Sequence, residues 1–151
     1  MSNSTERFLL FSLGKEDYGM PLLTVREVIA IPNVTPIPHS PSHFLGLMNL
    51  RGQVISVLDL RQKLGIKPTG SGEASVIICD LAPLCLGVVV DSINSVLAPE
   101  EGSISDPPDS KVARNVEYIT GVCRNGDKLV LLVDISKALS VEDVRAIKKA
   151  A

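Results

Sequence analysis

The chain has 151 residues, 45% of them hydrophobic and 21% charged, with a formal net charge of −2. That composition supports a buried core and excludes a disordered chain, and the length suits one domain or two small lobes sharing a core. With no basic stripe along the sequence, nucleic acid is excluded as a partner class.

Aliphatic side chains dominate and aromatics are only 3%, which favours sheets over helices. Met1–Arg7 is polar and has no signal-peptide pattern. Phe8–Leu13 reads as a strand, Gly14–Asp17 as a turn and Tyr18–Leu22 as the returning strand. Val28–Ile31 is a short strand that Pro32 ends. Pro36, Pro38 and Pro41 make an extended crossing segment, each fixing φ and removing a donor. Leu47–Leu50 and Gln53–Leu58 form a hairpin around Arg51-Gly52, and Asp59 starts a short helical stretch over Arg61–Leu64.

Lys67–Glu73 is a loop-like boundary. The apolar run Leu81–Val90 contains Pro83 and Gly87 and falls well short of the ~18 residues a membrane span needs, so no direct membrane insertion is expected and the default compartment is the cytoplasm. Pro99–Lys111 is a second long loop. Val122–Arg124 and Lys128–Val133 flank Asn125-Gly126, a pair that favours a tight hairpin turn with positive φ. Asp134 precedes a helical stretch over Ser136–Leu139, Ser140–Asp143 resembles a capping box, and Val141–Ala150 has near-helical apolar spacing.

The chain repeats itself. Phe8–Ile29 aligns without a gap on Val76–Leu97 at a shift of 68, and Gly46–Leu64 on Gly121–Leu139 at a shift of 75. Two consecutive matches in one order indicate a duplicated unit of roughly 70 residues, a size that is marginal alone and so points to shared burial. The expectation is an all-β protein with short helices, built as a single domain over 1–151. Its two lobes come largely from 8–66 and 75–139, and the exchange of strands between them is left open. Each lobe would form a small closed barrel.

Little in the sequence suggests catalysis. Cys79, Cys85 and Cys123 form no C-x-x-C pair and read as buried free thiols. His39 and His43 are four apart, but Pro41 lies between them, so they read as exposed loop histidines rather than metal ligands. Spacing alone identifies no catalytic pairing for Asp80 or Asp91, and no nucleotide-binding or nucleophile-elbow motif occurs. Asp59 and Asp134 are equivalent in the repeat and serve its shape. The repeat breaks at Arg51, which aligns with Gly126, and at Glu27, which aligns with Ser95. Function should sit where the repeat breaks.

Those residues carry a resemblance. Asn49-Leu50-Arg51-Gly52 followed by Val54–Arg61, with Phe8–Gly14, Tyr18–Val28, Gly87–Asp91, Tyr118–Val122 and Leu131–Asp134, is similar to the CheW chemotaxis coupling proteins over about Phe8–Leu139. Ser56 departs from the proline frequent there. The resemblance implies two five-stranded barrels like Src-homology-3 folds, sharing a hydrophobic core, with a short C-terminal helix. It implies a non-enzymatic adaptor with no cofactor and no metal, coupling chemoreceptors to the histidine kinase CheA at receptor arrays on the inner face of the membrane. The partners would be the receptor cytoplasmic tip and the CheW-like regulatory domain of CheA. The receptor-binding residues it implies are Val25, Glu27, Gly46 and Arg51, with Asn49 and Leu50 adjoining. A CheW-like protein of another chemosensory-type pathway, such as pilus or gliding control, is the alternative.

Overall fold

A computed structural model describes residues 6–67, 74–81, 84–106 and 118–150. Among the described residues eleven strands form two sheets. The strands are β1 (Phe8–Leu13), β2 (Glu16–Pro21), β3 (Val25–Ala30), β4 (Phe44–Leu50), β5 (Gln53–Asp59), β6 (Ser75–Leu81), β7 (Leu84–Val90), β8 (Ser92–Leu97), β9 (Ile104–Ser105), β10 (Ile119–Asn125) and β11 (Lys128–Val133). The helices are α1 (Leu60–Lys63), α2 (Ile135–Ala138) and α3 (Val141–Ala150). One sheet runs β8-β1-β2-β11-β10-β9 and the other β3-β6-β7-β5-β4. The first has six strands rather than five because the two-residue β9 adds to its edge.

Neither sheet coincides with 8–66 or with 75–139. The β1–β2 hairpin joins the strands of the second half, and β6–β7 joins those of the first. The repeat nevertheless holds strand for strand. At a shift of 68, β1, β2 and β3 fall on β6, β7 and β8; at a shift of 75, β4 and β5 fall on β10 and β11. Both sheets then have the same order, each closed at its middle by one parallel pair, β2–β11 or β7–β5. The β9 strand pairs with Val122 and Cys123, and its counterpart is the isolated bridge of Thr35 to Leu47.

Three apolar clusters explain why the central strands read as almost unbroken hydrophobic runs. In β1, Phe8 and Leu10 face one cluster with Cys123, Val130 and Leu132, whereas Leu9, Phe11 and Leu13 face a larger one. In β6, Val76 and Ile78 join Met48, Ile55, Val57 and Val89, whereas Ile77 and Cys79 turn to the larger cluster. Alternation by two thus sends one face of β1 and of β6 into its own sheet's interior and the other into a junction shared by both sheets. Gly87 lies within this packing, where a Cβ would approach Val76 Cγ1 to 2.7 Å.

Polar links cross the junction too. Arg61 Nη1 donates to Asp91 Oδ1 at 2.8 Å, and the Gly14 N–H donates to Asp91 Oδ2 at 2.5 Å. Asp91, far from isolated, is buried where the chain passes from one sheet to the other. Hydrogen bonds to Asp59 and then to Asp91, against the opposing effect of burial, raise the Arg61 guanidinium above its ordinary value.

Several boundaries differ from the sequence reading. The second strand is Glu16–Pro21, and Leu22–Thr24 is a single 3-10 turn. The third strand starts at Val25 rather than Val28, because pairing with β6 extends from Val25 to Ala30. In the second hairpin Asn125 pairs with Lys128, so the turn residues are Gly126-Asp127, one position later than expected. Asp59 caps α1 through the N–H groups of Arg61 and Gln62, and Asp134 caps α2 through that of Ser136. Cys79 and Cys123 are buried but Cys85 only half-buried, and burial pushes the Cys79 thiol up to about 12. Residues 68–73 of the expected linker, and 107–111 of the loop, lie outside the described residues.

Candidate functional site

The tip of the β4–β5 hairpin is built by a two-residue turn. Leu50 pairs with Gln53, leaving Arg51 and Gly52 as the turn, with φ of +49 and +87. Positive φ at both positions is the primed turn that matches strand twist. Glycine adopts it freely, but an L side chain meets steric resistance there. Its repeat equivalent, Gly126, has φ +64, so the plan of the fold supplies glycine where this hairpin carries arginine. Asn49 Oδ1 accepts from the Gly52 N–H at 2.9 Å and steadies the turn.

The Arg51 side chain is 66% exposed and pairs through Nη2 with Glu27 Oε2, whose side chain is 27% exposed. Glu27 lies on β3, the opposite edge of this sheet from β4. The pair therefore shows that the sheet curls far enough to bring its first strand against the turn of its last two. Arg26 adds to the same closure, donating through Nη1 to Gln53 Oε1 at 3.1 Å and lying 3.6 Å from Cys85 Sγ. Neither Arg26 nor Gln53 was singled out from sequence. Their only signal is adjacency to Glu27 and to the turn.

The other expected residues sit differently. Leu50 is half-buried and packs against the interior cluster of this sheet. Val25 pairs with Cys79 and packs against the junction cluster. Gly46 is buried at the far end of β4, with φ +141. A Cβ there would lie 2.0 Å from the Thr35 carbonyl oxygen, because Thr35 and Leu47 exchange backbone hydrogen bonds of 2.8 and 2.9 Å. The backbone approach of Thr35 thus requires glycine at 46. Only Glu27, Asn49 and Arg51 of the expected set converge on the hairpin tip.

His43 is not an exposed loop histidine. Its Nε2 is 2.5 Å from Asp143 Oδ1, and the Asp143 side chain is 1% exposed. Lys63 Nζ lies 2.7 Å from the other oxygen, which also accepts from the Ser140 N–H at 3.0 Å. The Asp143 N–H donates to Ser140 Oγ at 3.1 Å, completing a reciprocal cap on α3. Burial alone would raise the Asp143 carboxyl, but bonds from Lys63, Ser140 and His43 outweigh it and hold the group below its ordinary value. No group of three or more His, Cys, Asp or Glu side chains that could hold a metal occurs among the described residues. An open, polar depression of about 430 Å³ lies at the other hairpin, lined by residues such as Glu100, Glu101 and Arg124.

Comparison with known proteins identifies the family. The family model "CheW-like domain" matches residues 7–143. A "Chemotaxis protein CheW" of Klebsiella aerogenes is 34% identical over 97% of this chain and 89% of its own, and one of Treponema pallidum is 30% identical over 96% and 89%. "Protein FrzA" of Myxococcus xanthus is 27% identical over 95% and 91%. Among solved structures, the scaffolding protein TtCheW of Thermoanaerobacter tengcongensis superposes with a TM-score of 0.76 at 30% identity, covering 85% of this chain and 88% of that one. With the family model matched over residues 7–143 and relatives 30% or more identical over nearly its whole length, the chain belongs to the CheW-like domain family.

Proposed function

We propose that this protein is a chemotaxis scaffold that couples chemoreceptors to the histidine kinase CheA, and that the receptor docks at the Glu27–Arg51 end of the β3-to-β4 sheet. The observation that carries the reading is Arg51 itself. It occupies a left-handed turn position where the repeat supplies glycine, and its guanidinium is largely solvent-facing. A residue held in a sterically resisted conformation is retained for something other than the fold. A planar guanidinium at a hairpin tip presents a fork of donors to carbonyls or carboxylates on a partner. Glu27 orients that fork and Asn49 steadies the turn, while Leu50 and Val25 anchor the strands behind it by packing inward and Gly46 lets β4 pass against Thr35.

The kinase contact is proposed for the sheet edges. Val28 on β3 and Val96 on β8 are 39% and 51% exposed, occupy equivalent repeat positions and lie on edge strands. A CheW-like partner domain would present edges of the same kind. The chain acts by binding rather than catalysis in this reading. Among the described residues no helix is long and apolar enough to cross a membrane, and the proposed place of action is the cytoplasmic face of receptor arrays.

The test is a pair of titrations, with a receptor cytoplasmic fragment and with the CheA regulatory domain. Arg51→Ala should weaken receptor binding about 30-fold, as an interface hot spot does, and leave kinase binding unchanged. Full receptor affinity in Arg51→Ala would overturn the assignment.

A further inference from the structure

Asp143 is a buried carboxylate with no place in the contact surface above, and it reaches both roots of the hairpin that carries Arg51. His43, which it bonds at 2.5 Å, immediately precedes β4. Lys63, which it bonds at 2.7 Å, ends α1, the helix directly following β5. The two roots are tied to each other as well: the Asp59 N–H donates to the His43 carbonyl at 2.8 Å, and Asp59 caps α1. On its own helix, Asp143 is fixed by the reciprocal bonds with Ser140, while Ile147 of α3 is buried in the junction cluster. One side chain on α3 thus reaches two anchors that lie 80 and 100 residues before it in the chain.

We propose that Asp143 is a positioning residue for the Arg51 site, with α3 serving as a clamp that sets the angle of the β4–β5 hairpin. The proposal rests on the reading of Arg51 as a receptor contact. The physical reasoning concerns leverage. The hairpin is about 20 Å long at the usual rise per residue, so a small rotation at its root moves the tip by more than a hydrogen-bond length. Three anchors converge on one carboxylate whose side chain is 1% exposed. In that buried setting charge-assisted bonds are short and directional, so each one fixes the position of the element that supplies it. At the tip, by contrast, the side-chain bonds that hold the turn are exposed ones, made by Asn49, the Glu27 pair and Arg26 with Gln53. The clamp therefore supplies rigidity that the tip does not make for itself.

The test uses the full chain with His43→Ala, His43→Gln and Asp143→Asn. His43→Ala frees the β4 root while leaving the Lys63 pair in place, and His43→Gln returns a donor to nearly the same point. Two readouts are taken, amide hydrogen exchange across Phe44–Asp59 and affinity for a receptor cytoplasmic fragment and for the CheA regulatory domain. In His43→Ala and Asp143→Asn, exchange in the hairpin should rise and receptor affinity fall about three- to tenfold, within the range of couplings carried through a packed network. Kinase affinity should stay within about twofold, and His43→Gln should restore both readouts. Unchanged hairpin exchange in His43→Ala and Asp143→Asn would overturn the clamp, and so would equal loss of both partners. If the wild-type chain fails to bind the receptor fragment while hairpin exchange rises in the variants, the Arg51 reading fails and the clamp stands as a brace of the hairpin alone.

Discussion

Replacing Arg51 by glycine should raise stability relative to alanine at the same position while abolishing the same contact. Arg51 has φ +49, which sets its Cβ close to its own backbone. Such a conformation costs an L residue about 1–2 kcal/mol, and alanine bears that cost as fully as arginine does. Glycine escapes it but loses about 0.4–1 kcal/mol through greater freedom of the unfolded chain. The Glu27 pair is lost in both variants, and with Arg51 two-thirds exposed it is worth at most about 1 kcal/mol. Arg51→Gly should therefore be about 0.5–1 kcal/mol more stable than Arg51→Ala, or roughly 1–4 °C in Tm for a domain of this size. Thermal melts followed by circular dichroism at neutral pH resolve that difference. Both variants should lose receptor affinity equally, by about 2 kcal/mol. Alanine melting at or above glycine would refute the account of the turn, and a glycine variant that keeps its affinity would refute the account of the contact.

Gly46→Ala should cost at least about 3 kcal/mol, because its Cβ would lie 2.0 Å from the Thr35 carbonyl and overpacking against backbone finds no relief; a urea melt measures it. The Asp143 carboxyl is lowered on folding, so in acid the unfolded chain binds the extra proton. Stability from this group is then full above the unfolded carboxylate value of about 3.9 and is lost as pH falls through the lower folded value. Asp143→Asn should flatten that acid limb in urea melts taken at falling pH. Expressed apart, Met1–Pro68 and Ser71–Ala151 should each fail to give a cooperative melt, since each sheet needs strands from both halves; two independent, monomeric melts near that of the whole chain would contradict the shared junction.

Much of the fold is written locally. The alignments at shifts of 68 and 75 identify the strands that prove equivalent, since a duplicated unit keeps its apolar alternation. Asp59, Asp134 and the Ser140–Asp143 box are legible as caps because capping acts over two or three residues. The rest depends on partners distant in sequence. Periodicity reveals that β1 has two apolar faces but not that it pairs with β8, so the exchange of hairpins between halves has no local signal. His43 and Asp143 are 100 residues apart and Asp91 and Arg61 are 30 apart, which is why one reads as a loop histidine and the other as an unpartnered acid. Asn125-Gly126 names the right turn but the wrong centre, because pairing of Asn125 with Lys128 fixes the register. At the site, the break in the repeat marks both Arg51 and Glu27. Their contact appears only once the sheet curls.

The central claim is that one chain holds receptor and kinase together, through the Arg51 end and the sheet edges. Sedimentation velocity with a receptor cytoplasmic fragment, the CheA regulatory domain and this protein tests it most directly. The account predicts that the kinase domain sediments with the receptor fragment only when this protein is present, and that Arg51→Ala abolishes bridging while its complex with the kinase domain persists. Equal co-sedimentation without the protein, or mutually exclusive binding of the two partners, would contradict it.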